Sequence, residues 1–331
     1  MIGVVAEETR VSITGLGSYV PERIVDNEEL SRYVDTSDEW IRERTGIRER
    51  RIAAESEALS DLALPAARGA LEQARVRAQD IDLVIVATVT PDMSFPSTGA
   101  ILADVLGAAG AAAYDLSAGC TGFMYALAQA YGMLAAGLAR RALVVGGDVL
   151  SRILDWSDRS TLVLFGDGAG AVVLEQTPER GFLGFELGAD GGGGENLWLP
   201  GSGSRRFDDP ERYVKMNGRE VFKFATRVLV QSAEAVLTRC GARIEDVDVY
   251  IPHQANVRII DYATRRLGVP SERVVINVDR FGNTSSGSIP LALADAQAEG
   301  RLRPGSLVLM TGMGAGLTWG SALMRWTKEM V

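Results

Sequence analysis

The chain has 331 residues, 47% apolar and 23% charged, with a formal net charge of −9 and a single histidine. A chain of this size buries an ample core as two ordinary domains or one large one, and its acidic balance disfavours bulk nucleic-acid binding while leaving room for a local basic patch. No apolar stretch reaches the roughly 18 residues of a membrane span, and one histidine with two distant cysteines, Cys120 and Cys240, cannot build a zinc site or a disulfide scaffold, so a reducing cytosol is expected.

The N-terminal segment carries Glu7 and Glu8 where a secretory leader needs basic residues, so no leader is expected. A helix is expected over 59–77, and the apolar run that ends near Val86 reads as a strand buried on both faces. The alanine-rich run 107–113 is too short to cross a bilayer. A strand-like approach then leads into Ser117-Ala-Gly-Cys-Thr-Gly-Phe123, and a helical stretch follows over 121–137. A thiol at a strand-to-helix turn sits where unpaired N–H groups and the helix dipole favour negative charge. That setting lowers a cysteine pKa and makes Cys120 a candidate nucleophile. Read alone, the same residue is as readily a small buried hydrophobe.

Strands are expected at 141–146 and 169–174. The four glycines at 191–194 and the loop-rich stretch 200–210 lack the Lys-Ser/Thr and the strand–glycine–helix frame of a phosphate loop. They read as a mobile surface connection. A helix is expected over 219–240, then a strand over 247–251 that projects His253 from its end. A lone histidine is ordinarily a hydrogen-bonded structural residue. Asn283 lies in Gly282-Asn-Thr-Ser-Ser-Gly287, which by itself is a turn into the helix expected over 287–299. Taken together, Cys120, His253 and Asn283 form a set of thiolate, proton handler and neutral amide donor. The run Gly312-Met-Gly-Ala-Gly316 lies between strands at 306–312 and 317–325. Because a strand rather than a helix follows it, it signals close backbone approach to a ligand or reacting carbonyl, not a dinucleotide fingerprint.

The chain also repeats itself. Displaced by about 166 residues, 79–86 falls on 245–252 and 141–146 on 306–312, each a polar start followed by a continuous apolar run. The simplest account is two α/β halves, with residues 1–177 carrying the cysteine, 178–217 as connecting loops, and 218–331 carrying His253 and Asn283. The repeat sets Cys120 opposite Ser286, so the three residues would converge where the halves meet, a common place for an active site.

Several motifs occur in order over about residues 11–327: Gly15-Leu-Gly-Ser-Tyr-Val-Pro-Glu22, Asp35-Thr-Ser-Asp-Glu-Trp-Ile41, Arg44-Thr-Gly-Ile-Arg-Glu-Arg50, Phe165-Gly-Asp-Gly-Ala-Gly-Ala171, Pro252-His-Gln-Ala-Asn256 and Gly282-Asn-Thr-Ser285. In these the chain resembles the β-ketoacyl-acyl-carrier-protein (ACP) synthase III family. The resemblance implies an α/β thiolase-like fold of two pseudo-duplicated halves, with mixed five-stranded sheets layered between helices. It also implies a homodimeric cytosolic enzyme that needs no metal or redox cofactor. Its substrates would be acyl-CoA and malonyl-ACP, and the reaction would start type II fatty-acid synthesis. Cys120, His253 and Asn283 would be catalytic, and the backbone N–H groups of Cys120 and Ala315 would form an oxyanion hole. Many relatives carry glycine where Ala315 stands, a change that keeps the amide donor.

By the same resemblance Trp40 and Arg159 would sandwich the CoA adenine, while Arg44, Asn256 and Arg258 would bind the CoA or phosphopantetheine arm. Phe95 would reach the neighbouring subunit's acyl pocket, and Lys223, Arg258, Arg265 and Arg266 would face ACP. Phe281 departs from the His or Tyr of many relatives. An elongating ketosynthase needs a second histidine, and a thiolase needs a second active-site cysteine; the chain supplies neither set. Two rivals share the fold: a priming or acyl-transferring enzyme of secondary metabolism, and a catalytically silent partner subunit, which the intact Cys-His-Asn set opposes.

Overall fold

The strand and helix expectations hold closely in the computed structural model, which describes residues 10–201, 203–206 and 208–327; the N-terminal leader reading falls on residues 1–9, outside them. The first sheet contains β1 (Val11–Tyr19), β2 (Leu83–Ala87), β3 (Ala112–Leu116), β4 (Arg141–Asp148) and β5 (Gly168–Gln176), in the order β1-β5-β4-β2-β3. β2 pairs in parallel with β3 and β4, whereas β4–β5 and β5–β1 are antiparallel. All five residues of β2 are buried, which is why the sequence there is an uninterrupted apolar run.

The second sheet contains β6 (Phe182–Ala189), β7 (Val249–Pro252), β8 (Leu307–Gly314) and β9 (Thr318–Arg325), in the order β7-β8-β9-β6. Its pairing repeats that of the first sheet: β7–β8 parallel, β8–β9 and β9–β6 antiparallel. This sheet has four strands where five were expected. The fifth position is held only by a bridge between Tyr250 and Val274, because the segment entered from Pro270 is extended for too few residues to form a ladder.

Residues 178–217 are more than connecting loops, since β6 lies within them. The charge of Glu186 hid this strand in the sequence, yet that side chain is buried and paired with Arg239 at 2.6 Å. The glycine stretch is likewise docked rather than loose: Asp190 and Leu317 exchange backbone hydrogen bonds of 2.7 and 2.8 Å. Beyond it, Leu197–Trp198 pairs with Lys215–Met216 in a short ribbon.

Six of the helices frame the sheets and the site: α1 (Asp38–Thr45), α2 (Leu59–Ala74), α3 (Gly122–Ala135), α4 (Gly218–Arg239), α5 (Val257–Leu267) and α6 (Ser288–Ala298). α3 and α6 each contact strands of both sheets and form the central layer. α2 covers the outer face of the first sheet and α4 that of the second. The central helices begin at Gly122 and Ser288, 166 residues apart, so the internal repeat read in the sequence is the repeat of the fold.

Candidate active site

Cys120 lies between the end of β3 and the start of α3; His253 directly follows β7; Asn283 precedes the turn into α6; and Ala315 follows β8. Four chain segments from both halves therefore meet at one point. Their approach depends on glycine. A Cβ on Gly314 would sit 2.5 Å from the Cys120 backbone nitrogen, and one on Gly119 would sit 2.7 Å from that of Ala315. Gly119 also has φ +58°, a conformation that suits a residue without a side chain. Within 312–316 it is Gly314 that serves close approach to the Cys120 turn itself.

Cys120, His253 and Asn283 are 8%, 1% and 6% exposed and line one cavity of about 150 Å³. Phe222, Asn256, Ile259 and Gly218 line the same cavity, carrying it towards the first turns of α4 and α5. A second cavity of about 140 Å³ shares Cys120, Phe165 and Leu197, and its walls are otherwise mostly apolar: Val89, Leu150, Ile153, Trp198, Leu199 and Val214. The thiol thus lines two adjoining cavities, one holding His253, Asn256 and Asn283 in its wall and the other mostly apolar.

Burial pushes the Cys120 thiol up to about 11, against the lowering expected from the helix terminus. Ser285 and the N–H groups of Cys120 and Ala315 oppose that rise, while the negative charge of Asp148 adds to it. The Ser285 hydroxyl makes no bond of full hydrogen-bond geometry, yet it lies near enough to the sulfur to favour the thiolate. Desolvation by burial is the largest of these effects, so burial favours the thiol over the thiolate. The two amides that favour its anion are those expected to form the oxyanion hole. His253 is pushed down to about 3 by burial and is therefore neutral. Its Nδ1 lies 2.5 Å from Ser288 Oγ. Asn283 Oδ1 accepts from Ser285 N at 2.8 Å, which leaves its NH2 group as the end able to donate elsewhere.

The expected CoA contacts gather around α1. Ser37 caps this helix by accepting from Trp40 N, and Arg44 and Arg159 each place the guanidinium carbon 4.8 Å from the Trp40 ring centroid. Trp40 and Arg159 are thus brought together, but a planar base between them needs about 7 Å, two van der Waals thicknesses. Arg159 must move off the ring to admit one. Asn256 caps α5, accepting from Arg258 N at 2.8 Å and donating to Arg44 O at 3.0 Å, so it ties the channel mouth to α1. One N–H and one lone pair of its amide remain for a ligand.

Arg258, Arg265 and Arg266 are exposed on α5 with Asp261 and Tyr262 among them, and Arg258 lies over Phe222 at 5.6 Å. Lys223, on α4, is paired with Glu220 at 2.7 Å. Phe95 is 85% exposed and lines neither of the two cavities of its own chain.

Sequence reasoning missed the pocket walls, Ser285, Ser288 and the buried charges Arg50 and Asp148. Arg50 belonged to a run of charges, yet it is buried and bonds Val25 O, Asn27 Oδ1 and Val163 O; desolvation pushes it down to about 10. Asp148 accepts from Thr88, Val89, Thr90 and Ser286. For Asp148 the one available signal was a charge set among apolar and glycine residues; for Arg50, inside a charge run, there was none. Among the described residues no cluster of three His, Cys, Asp or Glu side chains is placed to hold a metal, and no helix is long and apolar enough to cross a membrane.

Comparison with known proteins agrees with this geometry. Residues 114–191 match the family described as 3-oxoacyl-[acyl-carrier-protein] synthase III, and residues 237–326 match its C-terminal counterpart. The β-ketoacyl-[acyl-carrier-protein] synthase III of Symbiobacterium thermophilum is 54% identical over 325 residues, covering 96% of this chain and 98% of the relative. The structure of 3-oxoacyl-[acyl-carrier-protein] synthase III from Aquifex aeolicus superposes with a TM-score of 0.91 at 45% identity, over 96% of this chain and all of that one. The priming β-ketosynthase of the R1128 polyketide pathway gives 0.92 at a lower 38% identity, over 97% and 98%. The chain therefore belongs to the β-ketoacyl-ACP synthase III family of thiolase-fold condensing acyltransferases.

Proposed function

We propose that Cys120 takes an acyl group from acyl-CoA and passes it to the carbanion of decarboxylated malonyl-ACP, giving the β-ketoacyl-ACP that opens type II fatty-acid synthesis. In the first half-reaction the Cys120 sulfur forms a bond to the acyl carbon, the bond to the CoA sulfur breaks, and the thiol proton ends on CoA. Developing charge on the acyl oxygen meets the N–H groups of Cys120 and Ala315. In the second, malonyl-ACP loses CO2 and its enolate oxygen accepts hydrogen bonds from His253 Nε2–H and the Asn283 NH2 group. Its carbon then attacks the acyl carbon, the bond to the Cys120 sulfur breaks, and the released thiolate takes up a proton from solvent to restore the thiol.

The observation that carries this reading is the placement of one thiol in the walls of two adjoining cavities, one lined also by His253, Asn283 and Asn256, the other mostly apolar. In this reading the phosphopantetheine arm enters the first cavity and the acyl group the second. The chemistry draws only on side chains, backbone amides and two thioesters, with no resident cofactor. A second copy of the chain supplies the remaining pocket wall: Phe95 is exposed, and β3 is an edge strand free to pair on one side. The ACP approaches α5, and the compartment is the cytosol.

Turnover with a panel of acyl-CoA primers and malonyl-ACP, read beside the intact mass of the acyl-enzyme, tests the assignment. The expected result is one acyl group per chain on Cys120 and β-ketoacyl-ACP as product. Acylation at another residue, or acyl transfer with no condensation, would overturn it.

A further inference from the structure

The mechanism needs His253 to present an N–H to the cavity, and nothing in the imidazole itself decides which ring nitrogen carries the proton. The surroundings decide it. His253 and Ser288 are each 1% exposed, and Nδ1 lies 2.5 Å from Ser288 Oγ. The same oxygen lies 3.4 Å from the Gln254 backbone nitrogen. Among the described residues these are the only two hydrogen-bond partners of that hydroxyl.

A backbone N–H can only donate, so Ser288 Oγ accepts from Gln254, and its own hydrogen is left for Nδ1. The opposite tautomer, with Nδ1–H donating to Oγ, would leave the hydroxyl hydrogen in a buried site without an acceptor. A buried donor without a partner is left desolvated with nothing in exchange, so that tautomer is disfavoured. We propose that Ser288 is a positioning residue that holds His253 in the Nε2–H tautomer, so that the histidine enters the cavity as a hydrogen-bond donor. This rests on the reading of His253 as a donor to the enolate. It adds the group that makes it one, and it explains how a side chain on α6 acts on a reaction it does not touch.

The chain has one histidine, so protein labelled with 15N-histidine gives one Nδ1 and one Nε2 signal, and the tautomer is read directly. In the wild type, Nε2 is expected at the protonated position and Nδ1 at the unprotonated one. In Ser288→Ala, the two signals should move towards each other as the Nδ1–H form gains population. Malonyl-ACP decarboxylation should fall about 10-fold or more, bounded by the 10²–10³ lost when an oxyanion donor is removed outright. Transfer of the acyl group to Cys120 should stay within about threefold, which also shows that the variant is folded.

A wild-type spectrum with the proton on Nδ1 overturns the proposal without any variant. So does a Ser288→Ala protein that keeps the wild-type tautomer. If His253→Ala decarboxylates at the wild-type rate, the donor reading of the histidine fails, and the spectra still report separately on Ser288.

Discussion

At the residue scale, Cys120 sets two effects against each other. The approach to a helix terminus and two backbone amides favours a thiolate, while complete burial favours a thiol, and burial is the larger. Alkylation of Cys120 by iodoacetamide should therefore keep rising with pH through about 10. A plateau near pH 7–8 would mean a preformed thiolate. Half-buried Cys240 is told apart by peptide mapping. Cys120→Ser should form no acyl-enzyme, since a hydroxyl is far less ionised than a thiol in the same place. His253→Ala and Asn283→Ala should each lose on the order of 10²–10³ in malonyl-ACP decarboxylation. Acyl transfer to Cys120 should remain measurable in both, because the enolate forms only in the second half-reaction. Cys120, His253 and Asn283 were legible in the sequence because each stands at a strand end or turn among small residues. Ser288 was not legible, because its role depends on a neighbour 35 residues away.

At the scale of elements, the turn before α3 and the end of β8 meet through two glycines. Gly314→Ala would drive a methyl group to 2.5 Å from the Cys120 nitrogen, so that amide must shift. The expected outcome is loss of acyl transfer, with destabilisation of about 1–3 kcal/mol, measured by single-turnover acylation beside urea unfolding. α5 presents Arg258, Arg265 and Arg266 to solvent with one acid, Asp261, among them. Arg265→Glu with Arg266→Glu should raise KM for malonyl-ACP several-fold and weaken its salt dependence, while sparing acylation by acyl-CoA. Equal losses in both half-reactions would remove α5 from the docking surface. The charge spacing on α5 was legible from the sequence. β6 was not, because Glu186 breaks its apolar run and only Arg239, 53 residues on, makes that charge tolerable.

At the scale of the molecule, Asp148 joins the two halves. Its carboxylate gathers donors from Thr88, Val89 and Thr90 of the first half and from Ser286 of the second. Asp148→Asn would turn an amide NH2 towards donors, and should cost about 2–4 kcal/mol together with acylation activity. Acid should also weaken the fold. His253 stays neutral down to about pH 3 when folded, whereas the unfolded chain protonates it near 6.5. Between those values the unfolded state binds the extra proton, so stability falls with falling pH by up to about 1.4 kcal/mol per unit. Urea midpoints at pH 7 and pH 5 should therefore show His253→Gln losing less stability than the wild type, by about 2 kcal/mol at most. An unchanged gap would show that the buried histidine does not resist protonation.

The sequence by itself marked the internal repeat, most of the strands and helices, and the three residues proposed to carry the chemistry. Buried parallel strands must be apolar throughout, and the turns that hold the triad must be small, so both leave local patterns. Only the tertiary structure decided that the second sheet stops at four strands, that burial favours the thiol, and which residues wall the apolar cavity beside it. It also decided which nitrogen of His253 faces the cavity. Desolvation, cavity shape and hydrogen-bond partnership belong to residues far apart in the chain, and no local pattern encodes them.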